Sequence, residues 1–328
     1  MEDLDVFYKN LILTLLFALN VAYGGNLIEK IDPSSCPTDR NLSAWCTEQL
    51  CSQQNDLQEE LLRLLRVEKA DWERKKKEEA PKFYEFCQND IKENLSKKPL
   101  PQEIIKPTYE LLSSKKIKKL LGIVTTDINP NDKKITALKN DGSMIKILCA
   151  NDSIEADAAT DHLHVFINPE ALLSTHKTPE EIKATIAHEL IHILYEDVLD
   201  SDCLNKLYKI QKKRFKIPRK KFSKLRAQWE RGQEARADIL SGLIDIKLAK
   251  AHEQHFFRNM PKKTKRMKAS SLHPTNFQRH EYMKKIVQAM KTKKAHQKPN
   301  NYFLWTLLLT ALLLFLFFIT KKLWKKNL

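Results

Sequence analysis

The stretch TPEEIKATIAHELIHIL, residues 178–194, decides the fold of the chain. It opens with a capping box, in which a threonine precedes a glutamate by three positions, and with a proline at the first helical position. Apolar residues then recur at helical spacing. The stretch therefore predicts a helix that buries one face and carries HELIH, residues 188–192, near its carboxyl end.

Two histidines four positions apart lie one turn above each other on the same face of a helix. The imidazoles of His188 and His192 can thus reach a single metal ion, for which Zn²⁺ is the usual choice in an HExxH pattern. Glu189, next to the first histidine, is placed to act on a water molecule rather than to bind the metal. We therefore predict Zn²⁺ as cofactor, the two histidines as ligands and Glu189 as the catalytic base.

A third ligand is expected from a different helix. The residues after His192 lack the glycine and the third histidine of the metzincin pattern, and Glu196 continues the same straight helix. Glu234 and Asp238 lie four positions apart on an apolar face of a later helical stretch. This pattern indicates a metal ligand followed by an acceptor for the far N–H of a metal-bound histidine. Solvated helix acids, balanced by neighbouring arginines, are the alternative.

Three motifs in order resemble the HtpX and CAAX-prenyl-endopeptidase family of membrane-associated zinc metallopeptidases. They are HELIH, then EARAD at residues 234–238, then His273-Pro274 with Arg279 six positions after the histidine. The resemblance covers about residues 120–290. The chain departs from the family in the short, basic interval between HELIH and EARAD, in its four-cysteine helical segment and in its single C-terminal apolar segment.

The resemblance implies a gluzincin endopeptidase. In such an enzyme His188, His192 and Glu234 would bind Zn²⁺. Glu189 would be the base, and Asp238 would stand behind one of the histidines.

The resemblance also implies two features around the substrate cleft. His273 and Arg279 match the family's later motif and are candidates for contacts with the substrate or the transition state. A strand at residues 162–167 borders the cleft in the family. We expect an extended substrate to pair its main chain with the edge strand formed by His164, Val165, Phe166 and Ile167.

Composition narrows the fold class. Only six glycines occur in 328 residues, which argues against glycine-rich phosphate loops. The turn pattern Asn140-Asp141-Gly142 between two apolar segments predicts a β-hairpin, and most of the chain has helical periodicity. We expect a mostly helical α+β fold, with a zincin-like metallopeptidase domain and its small sheet at residues 102–290.

Both ends of the chain are apolar. Residues 1–24 are typical of a signal peptide or an N-terminal anchor, and a core helix is the third alternative. Residues 302–320 predict a transmembrane helix, which a basic tail at residues 321–328 follows. These segments predict membrane localisation with a single C-terminal span. They place the catalytic domain outside the cytoplasm, in a periplasmic or luminal compartment.

Residues 26–98 are predicted to form a cysteine-containing helical segment. Helical periodicity extends from Leu42 to Glu79 and resumes after Pro81, which predicts a helical hairpin. Four cysteines in an exported segment suggest two disulfides, and four unrelated reduced thiols are the alternative. These cysteines are Cys36, Cys46, Cys51 and Cys87.

The formal net charge of +16 is concentrated in basic stretches, above all in the acid-free interval from Lys206 to Arg226. No recognised nucleic-acid-binding module accompanies this interval, so we expect no specific nucleic acid partner. A solvated face is one interpretation of it. Contact with membrane lipid or with an acidic substrate is the other.

The sequence thus predicts a membrane-anchored zinc-dependent endopeptidase that hydrolyses unfolded, damaged or membrane-proximal proteins. Its partners would be protein or peptide substrates and membrane lipid. Two alternatives stay open. One is a non-catalytic tail-anchored adaptor, whose structural zinc site supports binding of a protein or anionic lipid. The other is a zinc hydrolase for a non-peptide substrate. Glu189 argues against the adaptor, because a structural site has no use for a base.

Overall fold

The computed structural model describes residues 33, 36–37, 41–94, 99–129, 134–150, 156–260 and 274–296. The predicted N-terminal segment at residues 1–24, the predicted span at 302–320, the basic tail and His273 lie outside the described residues. Within the described part, no helix combines the length and the apolar character that crossing a membrane requires.

Helices form most of the described chain, and one small sheet interrupts them. The elements in chain order are α1 (Leu42–Leu65), α2 (Lys69–Asn94), α3 (Gln102–Ser113), α4 (Lys115–Leu121), β1 (Ile123–Asn129), β2 (Lys134–Lys139), β3 (Met144–Cys149), β4 (Ala158–Thr160), β5 (His164–Ile167), α5 (Pro169–Thr175), α6 (Pro179–Tyr195), α7 (Asp197–Phe215), α8 (Arg219–Ile244), α9 (Ile246–Arg258) and α10 (Asn276–His296).

The five strands form one mixed sheet in the order β1-β2-β3-β5-β4. Neighbouring strands are antiparallel, except that β3 and β5 are parallel. The predicted hairpin joins β2 to β3. In its turn Gly142 has a φ of 81°, and the Lys139 N–H donates to the Ser143 carbonyl at 2.8 Å. The expectation of a mostly helical α+β fold with a small sheet is confirmed.

The strand from His164 to Ile167 lies inside the sheet, so the prediction that it forms an edge was wrong. On one side the Ala150 N–H donates to the Ile167 carbonyl, and on the other the Asn168 N–H donates to the Asp157 carbonyl. The edge next to β5 is the three-residue strand β4. A strand this short has no detectable periodicity, and a periodic pattern identifies a strand without identifying its neighbours.

Helix α6 lies between the sheet and the other helices. Ile186 packs into a core with β2, β3 and β5, whereas Ile191 packs into a second core with α8 and α10. The helix begins as predicted, because the Thr178 hydroxyl accepts from the Glu181 N–H at 3.3 Å. The Glu181 carboxylate accepts from the Lys177 N–H at 2.7 Å, which completes the capping arrangement one residue earlier than a standard capping box. The sequence-predicted helix is therefore confirmed.

The N-terminal helices belong to the same packed structure. Helix α1 lies along α8, where the Gln54 side chain donates to the Trp229 carbonyl at 2.9 Å and occupies the space beside Gly232. The predicted break at Pro81 was wrong: the two helices are separated at Arg66, with a φ of 55°, and α2 continues through Pro81. Apolar residues on both sides of the proline share one core, and this burial outweighs the local preference for a break.

The two disulfides that the sequence suggests are not present in the structure. No disulfide joins any of the six, all of which lie in the described residues. Cys36 and Cys46 pack in the core that α8 and α10 form, whereas Cys87 packs in a different core together with Cys203 of α7. In this structure, packing of apolar side chains rather than cross-linking holds the N-terminal helices in place.

Candidate metal centre

Three side chains from two helices converge at one point. His188 and His192 come from α6, and Glu234 comes from α8. The Nε2 atoms of the two histidines lie 3.3 and 3.5 Å from the two carboxylate oxygens of Glu234, and 3.0 Å from each other. One ligand atom from each residue lies within 4.8 Å of the others, so this group could hold a metal ion.

Asp238 lies directly behind His188. Its Oδ1 atom is 2.8 Å from Nδ1 of His188, and its side chain is completely buried. Arg279 donates to the same carboxylate from Nε at 2.7 Å, and the Tyr282 hydroxyl also donates to it. Burial favours the neutral acid, but Arg279 and His188 outweigh it and hold the pKa of Asp238 well below its usual value. The sequence placed this carboxylate behind a metal-site histidine, and the structure brings the two groups together.

Arg279 is held in place by Asp238. Its guanidinium also lies over the Phe256 ring, 4.1 Å from the centroid. The structure therefore gives this arginine a positioning contact. Its contact with a substrate stays a prediction, as does that of His273, which lies outside the described residues.

Asp197 supports the second histidine, and the sequence analysis missed it. Its Oδ2 atom lies 2.8 Å from Nδ1 of His192, while its Oδ1 atom accepts from Gln233 at 3.1 Å and from Arg236. The available signal was an acid five positions after His192, at the start of the next helix. Local spacing alone gives no reason to prefer it to Glu196, because the chain changes direction between α6 and α7. At this point Glu196 adopts a φ of 54°.

The hydrogen bonds around the two rings suit a cation. An ionised carboxylate only accepts hydrogen bonds, so Nδ1 of His192 carries the proton toward Asp197. Asp238, whose Oδ1 atom lies 2.8 Å from Nδ1 of His188, favours the same tautomer of that ring. In the neutral rings both Nε2 atoms then present lone pairs toward each other and toward Glu234. Three electron donors that converge in this way favour a positive charge between them, and two imidazoles with a carboxylate are suitable ligands for Zn²⁺.

The pKa values of the two rings also indicate that this pocket favours positive charge. Burial lowers the pKa of His188, but Asp238 and Glu234 outweigh burial and raise it to about 10. The pKa of His192 is also raised, because Asp197 and Glu234 outweigh its burial. The pocket therefore attracts positive charge, which either a proton or a metal ion can supply.

The remaining acids near HELIH have distinct surroundings. Glu189 is buried, with 9% of its surface exposed, next to the first ligand in the chain. Glu196 forms an ion pair with Lys76 at 3.0 Å, and Glu230 accepts from Arg226 at 2.8 Å. Glu234 is therefore the glutamate that the fold directs toward both histidines.

Comparisons of the chain with protein families, with curated proteins and with solved structures found no significant match. The resemblance to the HtpX family thus rests on the three sequence motifs. The structure contributes a mostly helical fold, a small mixed sheet and the buried group of two histidines and a glutamate.

We expect Glu234→Ala to weaken Zn²⁺ binding by more than about 100-fold, because it removes a ligand. Loss of a hydrogen-bond partner behind a ligand typically costs about 10- to 100-fold. The measurement is competition with a chromophoric chelator. Glu230→Ala, four positions earlier on the same helix, is the matched control and should bind Zn²⁺ as the unmodified protein does. Equal affinities for the two variants would place the third ligand elsewhere.

We expect Asp197→Asn to weaken Zn²⁺ binding by about 10- to 100-fold, because His192 loses the carboxylate that fixes its tautomer. Asp202→Asn is the control, since Asp202 lies on the same helix and pairs with Lys206 instead. Thermal unfolding of the metal-free variants separates this effect from lost stability. Unchanged affinity in Asp197→Asn would show that this carboxylate does not support the metal site.

Proposed function

We propose that the protein is a zinc-dependent endopeptidase of the zincin type. The observation that carries this proposal is the buried group of His188, His192 and Glu234, with Glu189 beside it in the sequence HELIH. A metal-binding group with a neighbouring carboxylate that is not one of its three candidate ligands suits hydrolysis better than a purely structural role. The zincin-like domain, the gluzincin ligand set and the predicted substrates are parts of this proposal.

Each of these residues would have a distinct role in the reaction. His188, His192 and Glu234 would hold Zn²⁺, which supplies Lewis-acid polarisation of the peptide carbonyl and acidification of water. Glu189 would accept a proton from the attacking water at its carboxylate. It would then donate that proton to the leaving amine nitrogen, so that it returns to its ionised form at the end of the cycle.

The two supporting carboxylates would keep the ligand rings in one orientation throughout. Asp238 holds Nδ1 of His188, and Asp197 holds Nδ1 of His192, both at 2.8 Å. Because both carboxylates are buried and paired with arginines, they would not take up the proton that Glu189 transfers. The proton path is thereby confined to the catalytic glutamate.

An extended substrate would pair with β4, the edge of the sheet. Hydrogen bonds between Asp157 and Asn168 and between Asp161 and His164 fix the antiparallel register of β4 and β5. Alternate residues of an antiparallel strand point their main-chain groups to opposite sides, so Ala158 and Thr160 direct theirs away from β5. Main-chain pairing at these positions would give broad sequence specificity, as cleavage of unfolded proteins requires.

The proposed membrane attachment rests on the apolar pattern of residues 302–320, and the extracytoplasmic location rests on the N-terminal segment. Both segments lie outside the described residues. A catalytic domain tethered close to a bilayer would meet membrane-proximal and exported chains, which supports the proposed substrate class.

We expect Glu189→Gln to abolish cleavage of an unfolded protein such as reduced casein while it retains Zn²⁺, because only the base is lost. Zinc content and casein cleavage are measured on the same preparation. Glu196→Gln, which changes a half-buried glutamate at the end of α6 that pairs with Lys76, should retain both properties. Cleavage by Glu189→Gln at the normal rate would exclude the proposed mechanism, and a failure of the unmodified zinc-loaded protein to cleave any peptide would favour the adaptor.

We expect Ala158→Pro to lower kcat/KM for peptide substrates about fivefold, since a main-chain hydrogen bond contributes about 1 kcal/mol. Proline removes the outward N–H of β4 without touching the ladder to β5. Ala158→Val keeps that N–H and is the control. Full activity of the proline variant toward both short and long peptides would contradict substrate pairing at this edge.

A further inference from the structure

A second group of potential metal ligands lies outside the centre described above. Asp157 immediately precedes β4, His176 caps the end of α5, and His255 lies on α9. One ligand atom from each lies within 4.8 Å of the others. Sequence spacing gives no hint of this group, and on spacing alone His176 is an ordinary surface or strand residue.

One ring nitrogen of His176 can become available to a metal. Its Nδ1 atom donates to the Leu172 carbonyl at 3.0 Å, and the Thr185 hydroxyl can donate to its Nε2 atom at 2.6 Å. Nδ1 also lies 2.7 Å from the Thr175 hydroxyl and 3.7 Å from Asp157. For Nδ1 to bind a metal, the ring proton would move to Nε2, where the Thr185 hydroxyl can accept a hydrogen bond from it, and the Leu172 carbonyl would keep its hydrogen bond from the main-chain N–H of His176 at 2.9 Å. The ring can thus leave Leu172 without exposing an unsatisfied buried acceptor.

The second histidine lies against the first. The rings of His176 and His255 stack with their centroids 4.4 Å apart and an angle of 22° between them. Asn259 is within 3.2 Å of Nε2 of His255, near the surface, where a water molecule can replace it. The two rings thus bring a nitrogen atom each, from the C-cap of α5 and from α9, within 4.8 Å of the Asp157 carboxylate, and a tilt of one ring would direct both lone pairs to one ion.

The arginines near the group are paired with carboxylates. Burial lowers the pKa of His176, and burial together with His176 lowers the pKa of His255 to about 4. The guanidinium of Arg258 is paired with both carboxylate oxygens of Glu181 at 2.7 and 2.6 Å, and that of Arg279 is paired with Asp238.

We propose that Asp157, His176 and His255 form a second metal site, which takes a divalent transition-metal ion such as Zn²⁺, Co²⁺ or Ni²⁺. Two imidazoles and one carboxylate select these ions over Ca²⁺ and Mg²⁺, which prefer sets of oxygen ligands. The Thr185 hydroxyl, 2.6 Å from Nε2, can hold the His176 ring in orientation, in the way that outer hydrogen bonds orient metal-bound histidines. This proposal goes beyond the peptidase function and does not depend on it.

A metal ion bound at this site would also affect the stability of the fold. Thr185 lies on α6, one turn before His188, and Asp157 leads directly into the edge strand β4. A bound ion would connect the start of β4 to α5 and α9. It would stabilise the folded chain by mass action and restrain the strand to which substrate is proposed to add.

The test uses the full chain in detergent, purified without a histidine tag, in a His188→Ala/His192→Ala background that removes the first centre. Zn²⁺ is measured by equilibrium dialysis and elemental analysis, and Co²⁺ by its visible absorption. We expect this background protein to bind one further equivalent of Zn²⁺ and to unfold at a higher temperature in its presence. Adding His255→Gln or Asp157→Asn should each lower the affinity at least tenfold and remove the stabilisation.

His162→Gln is the matched control, because His162 is a partly buried histidine that stacks on Tyr84 and belongs to neither group. It should leave the second equivalent unchanged. The two ligand variants change different positions, and circular dichroism checks that each is folded. Together they distinguish loss of a metal ligand from loss of the fold. Absence of bound Zn²⁺ in the background protein would overturn the proposal. So would equal affinity in the His255→Gln, Asp157→Asn and His162→Gln proteins.

Discussion

Two buried imidazole–carboxylate pairs organise the centre of this protein. Asp238 holds His188 and Asp197 holds His192, each at 2.8 Å. A carboxylate buried without compensation is strongly destabilising, so each of these acids needs a cation, and each has an arginine. These ion pairs join α6 to the start of α7, to two positions of α8 and to α10. Residues distant in the chain must therefore meet before either histidine can take its place.

The surrounding helices hold these ion pairs in position. Helix α8 carries Glu234, Asp238 and the arginine that neutralises Asp197, so its position relative to α6 determines the whole centre. It is held from the outside by α1, through the contact of Gln54 with the Trp229 carbonyl and the close approach at Gly232. The N-terminal helices thus contribute to the geometry of a site to which they supply no ligand.

Helix α6 links three functional elements along its length. Its first half packs on the sheet and presents Thr185 to the stacked histidines, and its second half carries His188 and His192. The edge strand β4 lies next to it and begins at Asp157. A change in the position of β4 would therefore displace residues in both groups of potential metal ligands, because close-packed interiors transmit displacement rather than absorb it.

The sequence by itself determined the features that depend on short-range patterns. The capping residues of α6, the helical spacing of His188 and His192, the paired acids Glu234 and Asp238, and the hairpin at Gly142 were all readable, because neighbours in the chain fix helix faces and turns. Tertiary structure alone decided which acid supports His192, where Arg279 points, which strand forms the edge and that α2 continues through Pro81. It also brought Asp157, His176 and His255 together. These outcomes depend on contacts between residues far apart in the chain, where burial and charge compensation outweigh local preference and leave no periodic trace in the sequence.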